Sequence, residues 1–162
     1  LRTLYILCGL FNFIIKTGKR VVFNLETRKA EKMQKVYDFL KKCKTYYLAT
    51  VEDDQARVRP FGTIDIFDGR LCFQTGKSKS VSKQIHKNPK IEICAFADGT
   101  WVRIQALAIE EPRIEAQIQM LKAYPELKRL YTPGDGNTEI FYLKDGTATF
   151  SSFTGPQEII HF

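Results

Sequence analysis

Short local signatures of catalysis are missing from this sequence. It has no G-x-S-x-G elbow, no G-x-x-x-x-G-K-[ST] loop, no H-E-x-x-H and no G-x-G-x-x-G. It has only two histidines, His86 and His161, far apart in the chain, which argues against a hydrolytic triad. Cys8, Cys43, Cys72 and Cys94 form no C-x-x-C pair, so no metal site is expected and the thiols read as reduced, in a cytoplasmic protein. Long apolar runs are also lacking. The stretch LRTLYILCGLFNFII at residues 1–15 falls short of the roughly 20 residues a spanning helix needs. It is followed by KTGKRVVFN rather than by a small-residue cleavage site.

What is present is an ordinary globular composition, 44% hydrophobic and 27% charged, with a net charge of +7. A surplus of that size invites a nucleic-acid or membrane reading until its distribution is known. Residues 1–32 hold seven Lys or Arg against Glu26 and Glu31, a surplus of five, which leaves two for everything after them. The excess therefore belongs to the N-terminal stretch, and no nucleic-acid or membrane partner is expected for residues 33–162. The composition changes at Met33, so two parts are expected: an extension over 1–32, either outside the native domain or membrane-associating, and one domain over 33–162.

Within the domain, Val36, Phe39 and Leu40 share one helical face, so a short amphipathic helix is expected after Met33. Tyr46–Val51, Ala56–Phe67 and Arg70–Thr75 read as strands. Asp-Gly at 68–69, 98–99 and 145–146 separates extended runs and predicts three hairpins, because both residues tolerate positive φ. Further strands are expected at Glu139–Leu143, Thr147–Phe153 and Glu158–Phe162. Val81 and Ile85 place a short helix ahead of Asn88-Pro89, and Ile114, Ile118 and Leu121 another between Pro112 and Pro125. The class is α+β: an antiparallel split β-barrel of six or more strands with short peripheral helices.

Two polar clusters remain. Arg57 and Arg59 alternate onto one face of a strand in R-V-R-P, and Thr75-Gly76-Lys77-Ser78-Lys79-Ser80 runs from a strand end into a helix. Each alone also reads as a solvated face or a charged turn. A hairpin at Asp68-Gly69 would set them side by side, and together they offer what a phosphate monoester needs: guanidinium forks, ammonium groups, hydroxyls and the N–H groups of a helix start.

The run from Ala56 to Phe96 with TWVRIQALAI after it carries R-V-R-P, F-x-T, Q-I-x-x-N-P and W-V-R in order. In these motifs the chain resembles the pyridoxamine 5'-phosphate oxidase-like FMN-binding split-barrel family, including small flavoproteins related to nitroimidazole-resistance reductases. The resemblance covers essentially all of 33–162. It implies FMN as cofactor at a homodimer interface, with Arg57, Val58, Arg59 and Pro60 flanking the flavin and Gln74 and Thr75 lining it. Lys77, Lys79 and Lys83 would serve as phosphate cations, and Trp101 and Arg103 as contacts from a later hairpin; Trp101 reads equally as a core aromatic. No catalytic side chain is implied. The activity implied is electron transfer from a reduced nicotinamide donor to a small organic acceptor, with non-catalytic flavin, deazaflavin or haem binding as the other option. Nothing after FTGPQEIIHF matches the segment that holds pyridoxal phosphate in authentic oxidases, so vitamin B6 phosphate oxidation is not the expected activity.

Overall fold

The computed structural model describes residues 27–162; the apolar stretch at 1–15 and most of the expected extension lie outside the described residues. The first helix, α1, runs over residues 27–43 and crosses the expected boundary. Residues 27–32 are exposed, and Met33, Val36 and Leu40 are the side chains it buries. Three- and four-residue spacing puts those three on one stripe, so the inward-facing part of α1 begins at Met33.

After α1 come β1 (Tyr46–Glu52), β2 (Gln55–Phe61), β3 (Asp65–Phe67), β4 (Arg70–Gly76), α2 (Ser80–Lys87), β5 (Lys90–Ala97) and β6 (Thr100–Glu110). Then follow α3 (Ile114–Ala123), a 3-10 turn (Pro125–Arg129), β7 (Thr138–Ser152) and β8 (Glu158–His161). Every strand pairing is antiparallel, in the order β2-β1-β5-β6-β7-β4-β3, with β8 added on β7. The sheet curls around one core containing Leu48, Phe73, Ile93, Ile104 and Phe141. On the other side of β4 and β7, α3 covers a smaller cluster of Cys72, Ala116, Met120 and Ile140. This is the expected α+β split barrel. Among the described residues no helix is long and apolar enough to cross a membrane.

Two local expectations are corrected. The run Ala56–Phe67 is not one strand: it breaks at Gly62-Thr63-Ile64 into β2 and β3, which stand at opposite ends of the strand order. Side chains supply the bonds this link would otherwise find in a ladder. Tyr46 Oη donates to the Thr63 carbonyl at 2.7 Å, and Tyr124 Oη accepts from Ile64 N and donates to Ile64 O, both at 2.9 Å. Buried backbone groups need such partners wherever the sheet does not provide them.

Asp145-Gly146 is not a hairpin either. β7 continues through it beside β6, with Gln105 opposite Thr147 and Leu107 opposite Lys144, so two residues of β7 face Ala106 alone. This is a β-bulge, and the φ of 54° at Asp145 serves it as it would serve a reversal. Gly146 exchanges two backbone bonds with Phe162, each 3.0 Å. A Cβ on Gly146 would clash with the Phe162 ring. Gly146→Ala is therefore expected to expel that ring from the core edge and to cost about 1–3 kcal/mol, the usual range for overpacking. Urea denaturation checks it, and Phe162→Ala in the same background should make the two losses less than additive.

Candidate functional site

The Gly62–Ile64 link brings β2 close to the end of β4 without hydrogen-bonding the strands to one another: Gln74 N donates to Thr63 Oγ1 at 3.0 Å. Beside it opens a cavity of about 210 Å³ lined by Arg59, Pro60, Thr63, Gln74, Lys79 and Tyr131, among others. Four of the residues expected to bind the cofactor thus meet around one space.

Their chemistry differs. Gln74 is buried, and neither its amide nitrogen nor its amide oxygen has a hydrogen-bond partner. A fully buried, unpaired amide is costly, on the order of 1–3 kcal/mol, unless a ligand or water completes it. Lys79 occupies the N-cap position of α2, where no side chain caps the free N–H groups. Its Nζ lies over the Tyr131 ring, 5.8 Å from the centroid, and no carboxylate is within ion-pair reach among the described residues. A helix start without acidic residues, next to an uncompensated ammonium, is suited to an anion.

Arg59 is held in place. Its Nη1 donates to Thr50 Oγ1 at 2.7 Å, and its Nη2 to Gln84 Oε1 at 2.6 Å, which fastens β2 to β1 and α2. Burial and, to a lesser degree, the charge of Arg57 lower its pKa from the ordinary guanidinium value.

The other expected residues are placed elsewhere. Arg57 pairs with Glu52 at 2.7 Å across the β1–β2 hairpin, and Lys77 with Glu110 at 2.9 Å, which raises the lysine's pKa; both cations are already committed to carboxylates. Thr75 projects from the opposite face of β4 to Gln74, buried, with its hydroxyl unpaired. Lys83 is exposed on α2.

Val58, Trp101 and Arg103 lie on the outer face of the barrel. Val58 is 64% exposed; Trp101 tilts against Phe153, itself 83% exposed; Arg103 donates to Glu92 at 2.5 Å. Tyr47 and Phe96 are exposed on this face too, and the ladder sets Tyr47 opposite Pro60 and Cys94, and Phe96 opposite Trp101. The result is one broad apolar surface. Beside it a groove of about 500 Å³ runs over Ala49, Val51, Glu92, Gln105 and Thr147.

Two contributors were not foreseen. Thr63 and Tyr131 sit in a link and a loop, where no periodicity exposes their role. Among the described thiols, Cys72 is buried, which pushes its pKa up to about 12 and rules it out as a nucleophile at neutral pH.

A family model described as pyridoxamine 5'-phosphate oxidase matches residues 33–147. Comparison with curated proteins found no match. Among solved structures, a NimC/NimA family protein from Clostridium acetobutylicum aligns with a TM-score of 0.81 at 35% identity, over 85% of this chain and 96% of that one. The General Stress Protein 26 from Bacillus anthracis str. Sterne aligns at 0.65 and 20%, over 82% and 98%. A heme binding protein from Mycobacterium smegmatis aligns at 0.63 and 12%, over 82% and 57%, a likeness of fold.

Proposed function

The chain belongs to the pyridoxamine 5'-phosphate oxidase family, and from that membership and the cavity at Gln74 and Lys79 we propose that it binds FMN and acts as an oxidoreductase. The observation that carries the reading is the pair of buried, unpartnered polar atoms on Gln74 beside the uncompensated Lys79. FMN fits this donor set: its phosphate suits the ammonium and the uncapped start of α2, and its polar atoms can pair the Gln74 amide. When bound, the flavin supplies the redox chemistry, accepting electrons from a reduced nicotinamide donor and passing them to a small organic acceptor. The chain's own residues bind and orient. Lys79 and the α2 start anchor the phosphate, Arg59 fixes β2 against α2, and Pro60 and Thr63 shape the wall.

A cavity of about 210 Å³ is smaller than the ~300–1,000 Å³ of most ligand sites. The flavin ring therefore extends beyond it, and we infer that a second copy covers the ring by packing on the apolar outer face. Two-fold association is the commonest arrangement, and it would let Trp101 and Arg103 reach the cofactor of the other copy. Val58→Asp is expected to shift the dimer toward monomer and to weaken FMN with it. Sedimentation velocity with fluorescence titration checks both, and a wild-type monomer that binds FMN tightly would remove the dimer.

The electron-transfer reading is tested by the spectrum and by turnover. Purified protein should show oxidised-flavin absorption, and added reduced nicotinamide should bleach it. A bound flavin that no reduced nicotinamide bleaches would favour the storage or sensing alternative. Haem is less suited to this cavity, whose lining offers Tyr131 but no His, Cys or Met as an axial ligand.

A further inference from the structure

At the far end of β7 from the bulge, three side chains from three elements converge. His86 comes from the last turn of α2, Glu110 from the end of β6 and Glu139 from the start of β7. Each offers one ligand atom, and these atoms lie within 4.8 Å of one another. His86 Nε2 is 2.7 Å from Glu139 Oε1 and 3.9 Å from Glu110 Oε2. We propose that His86, Glu110 and Glu139 form a binding site for a divalent cation, with zinc as the preferred ion.

Glu139 is the observation that points to a ligand. It is 1% exposed, its Oε1 meets only His86, and its Oε2 has no partner at all. Thr75, directly across the ladder on the same face, keeps a second buried oxygen unpaired. A carboxylate removed from water with half its acceptor capacity unused is unstable unless something positive completes it. The nearby ammonium, Lys77, is engaged by Glu110 Oε1 at 2.9 Å and makes no ion pair with Glu139. A dication held between the two carboxylates would supply the positive partner that Glu139 Oε2 lacks.

The geometry needs little adjustment. Bonds of about 2.0–2.2 Å around a tetrahedral ion set neighbouring ligand atoms roughly 3.3 Å apart. The two separations from His86 Nε2 bracket that figure, so small side-chain rotations suffice. One nitrogen and two oxygen ligands make a borderline-soft set, which favours zinc over magnesium and, by the general order of stabilities, over manganese. Three protein ligands leave a fourth position for water. His86 is half-exposed and Glu110 a third exposed, which gives ion and water a path from solvent. The backbones that carry these ligands are regular α2, β6 and β7, so the ligand positions are fixed. The site is independent of the flavin reading, since none of the three residues lines the Gln74 cavity.

Calorimetric titration of the full chain with zinc chloride tests it, in a background where Cys8, Cys43 and Cys94 are serine so that thiols other than the buried Cys72 cannot compete. The expected result is one ion per chain at micromolar affinity or better, weakened at least about tenfold by His86→Ala and by Glu139→Gln, since even loss of a residue that only supports a ligand ordinarily costs about that much. His161→Ala should leave it unchanged. Manganese should bind more weakly than zinc, and zinc should raise the melting temperature of the parent but not of the variants. His86 also packs on Phe141, with ring centroids 5.5 Å apart, so Glu110→Gln, at a strand end, carries the test if His86→Ala does not fold. No zinc binding by the parent overturns the proposal, as does binding that survives Glu110→Gln and Glu139→Gln undiminished.

Discussion

Replacing Lys79 by Ala is expected to weaken FMN binding roughly 10- to 150-fold, the equivalent of one charge-assisted bond of about 1.5–3 kcal/mol. The same change should leave riboflavin, which lacks the phosphate, nearly unaffected. Lys79 is singled out because no carboxylate neutralises it and because it stands at the uncapped start of α2. Arg57→Ala is expected to do far less, since that guanidinium is spent on Glu52 and does not line the cavity. Arg59→Ala should weaken both ligands, because it removes the bonds that hold β2 to Thr50 and Gln84 and so loosens the wall itself. Fluorescence titration of both flavins into wild type, the three variants and the surface control Lys122→Ala separates these effects. Equal losses of riboflavin and FMN in Lys79→Ala would mean that the residue supports the ring or the fold, and the phosphate assignment would fail.

Glu111→Gln is expected to cost about 3 kcal/mol of stability at neutral pH, of order 10 °C in melting temperature for a chain of this size. Glu111 is buried beside two guanidinium groups: Arg113 donates from Nε at 2.7 Å and from Nη2 at 2.9 Å, and Arg70 donates from Nη2 at 2.5 Å. Those bonds, chiefly Arg113's, hold the carboxyl at about 2 against an ordinary 4.5. A depressed carboxyl pKa stabilises the fold fully above the unfolded value and loses that contribution as pH falls toward the folded one. Wild type should therefore lose stability between about pH 4.5 and 2 in excess of the Gln variant, and the two curves should converge at the acid end. Denaturant melts across that range measure the difference, and parallel curves would show that ionisation of Glu111 contributes nothing.

The sequence made the barrel legible where one periodicity dominated. The run Tyr46–Val51, the Asp-Gly turns at 68–69 and 98–99 and the helical spacing of Val81 and Ile85 each matched a single geometry, and the structure keeps them. Legibility failed where the same residues serve two geometries: Asp145-Gly146 supplies positive φ to a bulge as readily as to a turn, and only β6 running past both halves decides between them. It failed again at Gly62–Ile64, where β-formers read as strand but two phenols from distant elements take the backbone bonds. In the candidate site, Arg59, Pro60, Gln74 and Lys79 could be named from R-V-R-P and the T-G-K-S-K run. Strand alternation gives Arg57 and Arg59 the same face but cannot show that Glu52 occupies one of them. His86, Glu110 and Glu139 carried no local signal at all, since they are gathered from three elements by the closing of the sheet.

The link between β2 and β3 also bears on how a ligand enters. Along the central strands of the barrel, opening means unzipping a ladder, a cooperative event with a free energy near that of global unfolding. At Gly62–Ile64 the closure rests on side chains instead: three bonds from Tyr46 and Tyr124, the bond between Thr63 and Gln74 of β4, and the buried Ile64. Such a seam is expected to part and reseal more readily than a ladder, with the strands on either side intact. The amide of Ile64 should then exchange with solvent deuterium far faster than those of Leu48 or Ile104. The opening of the cavity wall would then be governed by these side-chain contacts rather than by the strength of the ladders beside them.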